Sequence, residues 1–171
     1  MMLIKWLNKM KGDRAPRAAA PAPKALLLAW LGGFFAIAAI AGLAHWAHAP
    51  LILGSFGASC VLLFGFPDSP FSQPRHVVFG HVISTLTGLV CLTLFGPHWW
   101  ALAIAVATAI ALMMWTRTVH PPAGSNPVIV FLMLPGWGFL LAPTLIGACM
   151  LVVVALIYNN LIREANYPKY W

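Results

Sequence analysis

Three long blocks of the chain contain no Asp, Glu, Lys or Arg, and they set the pattern of the whole sequence. The blocks cover residues 25–66, 76–116 and 118–162 and are 42, 41 and 45 residues long. A membrane-crossing helix needs about 20 apolar residues. Each block therefore has room for two crossings, and the pattern predicts an all-α polytopic membrane protein with six hydrophobic segments.

Tryptophans, prolines and glycines divide the blocks into these six segments. Tryptophan is typical of the membrane interface, and proline and glycine interrupt helices. Segments 2 and 5 are short or broken and follow prolines, whereas the others have ordinary span lengths. Segments 1 to 6 are predicted at 26–46, 51–66, 77–95, 99–115, 121–134 and 139–162.

The order of long, short and long segments occurs twice, in residues 25–96 and again in 97–162. His48-Ala49-Pro50 opens the first short segment, His120-Pro121-Pro122 opens the second, and a Gly-Ser pair follows each. Three crossings per half give the halves opposite orientations, so we expect two inverted three-segment repeats. Short, interrupted segments at matching positions predict a transporter binding site at the repeat interface.

Composition supports the membrane interpretation. Of 171 residues, 61% are apolar and 8% are charged, against about 25% charged in soluble domains. This excludes a disordered chain, a secreted disulfide scaffold and an ordinary soluble enzyme. The three cysteines form no CxxC pair and are interpreted as small buried hydrophobic residues.

The net charge of +7 lies mostly in a basic tail, residues 1–24. Apolar residues at helical spacing predict a short interfacial helix there: Met2, Leu3, Trp6, Leu7 and Met10. An Ala/Pro linker at 15–23 follows. Next to a hydrophobic segment, such a tail indicates cytoplasmic topology and contact with anionic lipid of the bilayer, not nucleic acid. Residues 25–162 form the predicted membrane domain, and 163–171 a second cytoplasmic tail.

Arginines distinguish two topologies. With six crossings, Arg75, Arg117 and both termini are cytoplasmic, and the remaining turns contain no Lys or Arg. If segments 2 and 5 are re-entrant, Arg75 and Arg117 lie outside. The positive-inside rule favours six crossings. Without a recognisable transit peptide, we expect a bacterial inner membrane, and a unit this small is expected to form a homo-oligomer.

The string from His120 to Asn126 carries the most chemistry. His120 precedes a proline, which favours extended backbone, and Pro121 or Pro122 can begin a helix with free N–H groups suited to an anion. The alternative is a proline-stopped loop between ordinary helices. The candidate binding residues of this string are His120, Pro121, Pro122, Gly124, Ser125 and Asn126.

The first half offers a similar string, with Gly54, Ser55, Gly57 and Ser59 as candidates. The alternative there is close helix packing through small residues. His81 lies inside segment 3, and an intramembrane ionisable residue indicates function; the alternative is a neutral histidine hydrogen-bonded between helices.

Two polar residues follow segment 2 and are candidates for a cytoplasmic mouth. Gln73 and Arg75 lie in the polar link before segment 3. Arg75 is suited to attract anions to a pore. The alternative is that it only fixes topology.

Missing motifs narrow the function. The sequence has no Walker A string, no carboxylate within a segment and no metal-ligand spacing of histidines. We therefore expect no catalytic residues, no cofactor and no metal, and imidazole, hydroxyl and amide groups suit a small anion or neutral polar solute. An enzyme is disfavoured because no nucleophile–base pair is evident. The remaining alternative is a structural or assembly subunit without a pore.

Three ordered motifs resemble the HPP family of integral membrane proteins. They are His120-Pro121-Pro122-Ala123-Gly124, the string Gly54 to Ser59, and Pro67-Asp68-Ser69-Pro70 running into Gln73-Pro74-Arg75, with Gly80-His81 in addition. The resemblance covers residues 25–162 and implies a small transporter, often described with four spans.

Plant chloroplast and cyanobacterial relatives are associated with nitrite transport, so the resemblance makes nitrite the leading candidate for the small anion. Where many relatives continue Ala-Gly-Ala-Thr, this chain has Ser125-Asn126-Pro127. Some relatives carry a CBS-type sensing domain, which we do not expect in this protein. His120 or His81 is the expected group for coupling transport to protons, because imidazole titrates near neutral pH.

Overall fold

The structure is a computed structural model that describes residues 2–11 and 15–171, without the side chains of 3, 4 and 8. The described residues form seven α-helices and no β-strand, which confirms the all-helical class. In the predicted basic tail, the side chain of Leu3 and the whole of Arg14 lie outside the residues that the structure describes. The helices are α1 Met2–Lys9, α2 Pro23–Ala47, α3 Ser55–Cys60, α4 Pro74–Phe95, α5 Trp99–Trp115, α6 Asn126–Met133 and α7 Ile146–Ile162.

Short 3₁₀ turns and π-helical turns connect these helices. Short 3₁₀ turns lie at Pro70–Ser72, Pro121–Ser125 and Trp137–Leu140. A π-helical turn, Val61–Gly65, extends α3, and a second, Leu141–Leu145, leads into α7. Segments 2, 5 and 6 are therefore interrupted helices.

Three helical stretches of the described chain are long and apolar enough to cross a membrane: Pro23–Ala47, Pro74–Phe95 and Trp137–Ile162. Ser55–Gly65 is shorter and spans only about 16 Å at 1.5 Å per residue, about half of a hydrocarbon core. The residues before it, 51–54, contain no regular helix. The broken character predicted for segment 2 thus has a physical form: a half-length helix preceded by irregular chain.

Several helix starts differ from the predicted segment starts: α2 begins at Pro23 instead of residue 26, and α3 at Ser55 instead of residue 51. Two further differences have a clear local cause. α4 begins at Pro74, three residues before the predicted start of segment 3, because Gln73 is extended and proline fits the first helical position. The α-helix of segment 5 begins at Asn126 instead of Pro121. Consecutive prolines and Gly124 are poor α-helix formers, and they adopt a 3₁₀ turn instead.

Helices α2 to α7 pack as one bundle. α2 lies against α7, α4 packs on α5 and α6, and α3 contacts α2, α7 and the Pro121–Ser125 turn. α5 buries a stripe spaced at four residues, namely Ala101, Ala105, Ala109 and Met113. Small side chains on that stripe allow close approach of neighbouring helices.

The ends of several segments meet at one end of the bundle, which we call the charged end; it carries Asp68, Arg75, Arg117 and Arg163. Residues 163–171, the C-terminal strap, fold back over the link that precedes α4. Arg163 and Lys169 both bind the Asp68 carboxylate. The Tyr167 hydroxyl donates to the carbonyl of Ser72 at 2.7 Å.

Candidate functional site

Seven polar side chains are buried together inside the bundle, and we call them the polar cluster. Each is at most 3% exposed. They come from α3, α4, α6, the residue before the Pro121–Ser125 turn, and the π-helical turn before α7. The members are Ser55, Ser59, His81, Thr85, His120, Asn126 and Thr144.

Ser59 lies at the centre of the polar cluster. Its hydroxyl oxygen is 2.9 Å from Nε2 of His81 and also 2.9 Å from Nε2 of His120. The two imidazole rings are 5.0 Å apart between centroids. Segment 2 thus places one hydroxyl between a histidine of segment 3 and the histidine that opens segment 5.

The outer nitrogens of both rings fix the direction of these bonds. His120 Nδ1 is 2.7 Å from the carbonyl oxygen of Phe71, and a carbonyl only accepts, so Nδ1 carries the proton. His81 Nδ1 is 3.0 Å from Asn126 Nδ2, which donates, so this Nδ1 accepts. With neutral rings, His81 Nε2–H donates to Ser59, and the single Ser59 O–H is shared between His120 Nε2 and the carbonyl oxygen of Ser55 at 3.2 Å.

The result is one directed chain of hydrogen bonds from Asn126 through His81, Ser59 and His120 to the carbonyl of Phe71. The amide of Asn126 also donates to Thr85 Oγ1 at 2.9 Å, and Thr144 donates to the same oxygen at 3.2 Å. Such a chain is polarised along its length because every group donates in one direction.

Two atoms of the polar cluster have no hydrogen-bond partner. Ser55 Oγ and Asn126 Oδ1 are buried and unbonded. Buried polar groups of proteins are almost always bonded, so each exception calls for an explanation. The polar cluster therefore keeps unused hydrogen-bonding capacity at one hydroxyl and one amide oxygen.

Backbone geometry holds His120 in position. Its φ of −129° and ψ of 98° are extended, as expected for a residue before proline. A side chain at Gly80 would place Cβ 2.7 Å from His120 Cβ and 3.0 Å from the carbonyl oxygen of Thr118. Glycine at position 80 therefore lets α4 approach the backbone that carries His120.

The structure brings together five of the residues singled out from the sequence: Ser55, Ser59, His81, His120 and Asn126. Other candidates lie elsewhere. Gly54, Gly57, Pro121 and Ser125 are exposed, Gly124 is half-buried and Pro122 is buried. Ser125 donates to the carbonyl of Pro122 at 2.8 Å, and the N–H of Ala123 bonds to the carbonyl of His120 at 2.9 Å, so that N–H is not free for an anion.

The two residues of the predicted cytoplasmic mouth, Gln73 and Arg75, differ in how far they are exposed. Gln73 is fully buried; its amide donates to the carbonyl of Ser69 at 2.8 Å and accepts from the backbone of Lys169 at 2.7 Å. The Gln73 amide therefore joins the link before α4 to the C-terminal strap. Arg75 is exposed at the charged end.

Sequence reasoning missed two threonines and one pairing. Thr85 follows His81 by four residues on α4, a spacing that puts both on one helix face and that was available as a signal. Thr144 gave no such signal. Ser59 and His120 have the separation of a nucleophile and its base, which no motif announced because 61 residues lie between them.

The polar cluster is enclosed by protein. Its seven members are all at most 3% exposed. No three His, Cys, Asp or Glu side chains within residues 2–11 and 15–171 lie close enough to hold a metal ion.

Comparison with known proteins gives the family. A transmembrane protein of Dictyostelium discoideum is 35% identical over 180 aligned positions, covering 98% of this chain and 62% of the relative. A second transmembrane protein of the same organism is 32% identical over 184 positions, covering 100% of this chain and 58% of the relative. The chain thus spans about three fifths of the length of these relatives.

No solved structure is significantly similar to the chain. The family model for the HPP transmembrane region matches residues 18–168, which include the whole predicted membrane domain. The resemblance carried by the His-Pro-Pro string is therefore confirmed. The chain belongs to the HPP family of transmembrane proteins.

Proposed function

We propose that this integral membrane protein is a transporter or channel for a small anion, with nitrite as the leading candidate and the polar cluster as its binding site. The observation that carries the proposal is the hydroxyl of Ser59 between the two buried imidazoles. Ionisable residues inside a membrane domain are costly and indicate a pathway for ions or protons.

The chemistry of the polar cluster favours an anion that enters together with a proton. The cluster offers imidazole, hydroxyl and amide groups and has no carboxylate among its seven members. A proton arriving on His120 gives an imidazolium whose charge is unbalanced in a low-dielectric interior. An anion next to it restores neutrality, and Ser55 Oγ has hydrogen-bonding capacity to spare.

Contacts at the charged end support six crossings. If segments 2 and 5 were re-entrant, the link before α4 would lie at the membrane face opposite to the end of α7. Instead, the Asp68 carboxylate of that link binds Arg163, and the Ser72 carbonyl binds Tyr167. We propose that both termini and this end are cytoplasmic, in agreement with the positive-inside rule.

The pairs of helices in contact also support an inverted repeat. In such a repeat, segments 1, 2 and 3 correspond to segments 4, 5 and 6. The contact between segments 1 and 6, which is α2–α7, then corresponds to the contact between segments 4 and 3, which is α5–α4. Likewise, the contact between segments 1 and 2, which is α2–α3, corresponds to the contact between segments 4 and 5, which is α5–α6. Both members of each pair occur. In this arrangement the contact between α3 and the Pro121–Ser125 turn lies at the repeat interface, where the polar cluster is found.

Three further expectations remain proposals. They are a homo-oligomer, a bacterial inner membrane and the absence of enzymatic activity. Exposed apolar side chains on α2, such as Trp30 and Phe34, form a surface that lipid or a second copy of this chain can cover. Serine-directed fluorophosphonate labelling of Ser59 would argue for an enzyme, since Ser59 and His120 are within bonding distance.

The proposal is tested by nitrite uptake into proteoliposomes that contain an internal pH dye. His120→Gln keeps a polar group near Ser59 but cannot be protonated, so we expect loss of nitrite uptake and of the accompanying pH change. His98→Gln is the matched control, because His98 is exposed and stacks on Trp100. Uptake by the wild-type protein no faster than in empty vesicles would contradict nitrite transport, and other small anions would then be screened once.

A structural or assembly subunit is the second candidate. It is favoured by the closure of the polar cluster, since the members of the cluster are almost fully buried. If wild-type protein carries no anion while His120→Gln lowers the unfolding temperature, the cluster serves packing and this second function replaces the first.

A further inference from the structure

The Ser59 hydroxyl has two acceptors for its single hydrogen. One is Nε2 of His120 at 2.9 Å, and the other is the carbonyl oxygen of Ser55 at 3.2 Å, one turn earlier on α3. A hydroxyl hydrogen rotates about its C–O bond to suit its neighbours. The hydrogen of Ser59 can therefore leave His120 for Ser55 without moving a heavy atom.

A proton that arrives on His120 fits into these existing contacts. It binds at Nε2, because Nδ1 already carries a proton and donates to the carbonyl of Phe71 at 2.7 Å. The new Nε2–H donates to the Ser59 oxygen, and the Ser59 hydrogen turns to the Ser55 carbonyl. The Ser59 oxygen then accepts from both imidazoles, since a hydroxyl has two lone pairs. Each N–H of the charged ring thus has an acceptor.

His81 has no such place for a second proton. Its Nε2 carries the proton of the neutral ring, so the open position is Nδ1, which accepts from Asn126 Nδ2 at 3.0 Å. A proton on Nδ1 would point at an amide N–H, which cannot accept it. Asn126 would have to turn its amide over and present Oδ1 instead.

Two further contacts hold the Asn126 amide in its orientation. Nδ2 lies 3.2 Å from the carbonyl oxygen of His81, which only accepts, and it donates to Thr85 Oγ1 at 2.9 Å. After a turn, Oδ1 would face that carbonyl, oxygen against oxygen, and the amide N–H groups would lose both acceptors. Buried polar groups left unpaired are costly, so the amide keeps Nδ1 of His81 as an acceptor.

The groups that face the two rings add no charge that reverses this order. His81 and His120 are 5.0 Å apart between ring centroids, and a charge on one disfavours a charge on the other. Phe56 of α3 packs edge-on against His81. His76 of α4 is the further histidine near His120, and its Nδ1 is 2.9 Å from the Val119 carbonyl. The link before α4, α6 and the π-helical turn before α7 contribute a carbonyl, an amide and a hydroxyl.

We infer that Asn126 is a positioning residue that assigns the transported proton to His120 and keeps His81 neutral. The inference rests on the proposed function, in which a proton and an anion enter together. The proton from water binds His120 Nε2, the Ser59 hydroxyl turns to the Ser55 carbonyl, and the anion supplies the opposite charge. On release, His120 returns the proton to water and the hydroxyl turns back.

The assignment is tested by nitrogen NMR of the full chain with isotope-labelled histidine, because the shifts of Nδ1 and Nε2 report which nitrogen carries a proton. His81→Gln and His120→Gln identify the two sets of signals. As the pH falls, we expect His120 to gain its second proton while His81 still carries one, on Nε2. A titration in which His81 is charged first overturns the inference, and so does a folded protein in which neither ring takes up a proton.

Asn126→Asp tests the positioning role. A carboxylate only accepts, so the proton of neutral His81 should move from Nε2 to Nδ1, and His81 should become the first ring to be charged. Asn126→Leu, which adds no charge, should leave His81 with a mixture of both tautomers. Asn159→Asp is the matched control, because Asn159 is equally buried but donates to the carbonyl of Leu63 instead; we expect the wild-type histidine signals.

The outcomes separate this inference from the proposed function, since the spectra do not require transport. If the wild-type protein carries nitrite but neither Asn126 variant changes the His81 tautomer, the transporter stands and the inference is wrong. If the protein carries no anion while the order of protonation and the effect of Asn126→Asp are as expected, transport is wrong and the assignment of the proton to His120 remains.

Discussion

Ser59 is the residue on which the polar cluster depends. Its one hydroxyl accepts from His81 and donates to His120 when both rings are neutral, and no other side chain contacts both Nε2 atoms. Removing it leaves two buried nitrogens of opposite hydrogen-bonding character facing a gap. Since their rings are 5.0 Å apart, a direct bond requires the rings to move.

Ser59→Ala is predicted to abolish the coupling of anion uptake to internal pH and to destabilise the protein by about 1–3 kcal/mol, the range for a buried polar group left unpaired. Ser84→Ala is the matched control, because Ser84 is equally buried and donates to the carbonyl of Ala123 at 2.6 Å. The measurements are flux with a pH dye and thermal unfolding. Equal losses of flux in both variants would mean that Ser59 acts only through stability.

At the scale of elements, the C-terminal strap and the link before α4 hold each other. Phe71 lies in this link and supplies the carbonyl that orients His120. The strap bonds to the two residues that follow Phe71: Tyr167 binds Ser72, and Lys169 binds Gln73. An element at the charged end thereby supports a side chain of the polar cluster.

Tyr167→Phe is predicted to loosen the C-terminal strap by about 1 kcal/mol, the usual net value of one hydrogen bond. Burial raises the pKa of the Tyr167 phenol, so it is protonated and donates to Ser72 at neutral pH. Hydrogen exchange of residues 163–171 measures the change. Tyr170→Phe is the control, since the contacts of its hydroxyl, 3.5 Å to the Pro70 carbonyl and 3.3 Å to His76 Nε2, are both longer than the bond of Tyr167. Equal exchange rates in wild type and Tyr167→Phe would argue against a role for this bond.

The ion pairs of the strap predict a pH dependence. The Arg163 guanidinium, with a smaller contribution from Lys169, lowers the pKa of the Asp68 carboxyl below its ordinary 3.8. A lowered pKa in the folded state means that the stabilisation is complete above the unfolded pKa and is lost as pH falls through the folded pKa. Because Asp68 is 55% exposed, the contribution is about 0.2–1 kcal/mol.

We therefore expect Asp68→Asn to lower the unfolding temperature slightly between about pH 5 and 7, and this difference to shrink as the pH falls below the ordinary pKa of 3.8. Thermal unfolding of wild type and Asp68→Asn across this range measures the difference. A difference that stays constant into the acid range would show that it does not come from the carboxylate charge.

At the scale of the whole molecule, the bundle brings the start of α2, the link before α4, the residues after α5 and the end of α7 to one end. Cysteine labelling tests whether this end faces one side of a membrane. Single cysteines at Ser69 and Arg117 should react with an impermeant maleimide from the cytoplasmic side, and one at Pro135 from the other, in a Cys149→Ala background because Cys149 is exposed. Labelling of Ser69 and Pro135 from the same side would contradict six crossings.

Part of the polar cluster was visible in the sequence. Intramembrane position alone marked His81, the proline context marked His120, and small polar strings marked Ser55, Ser59 and Asn126. The same strings also marked Gly54, Gly57 and Ser125, which the structure leaves exposed. A string gives the chemistry of its residues, whereas the direction of each side chain depends on helix phase and on the neighbouring segments.

The sequence by itself determined the all-helical class, the hydrophobic segments and the family, because these depend on composition, apolar run length and local motifs. Only the tertiary structure decided that Ser59 lies between His81 and His120 and that the strap reaches Asp68. Those contacts join residues 22, 61 and 95 positions apart. Local pattern carries no information about such pairs, since packing of the whole bundle brings them together.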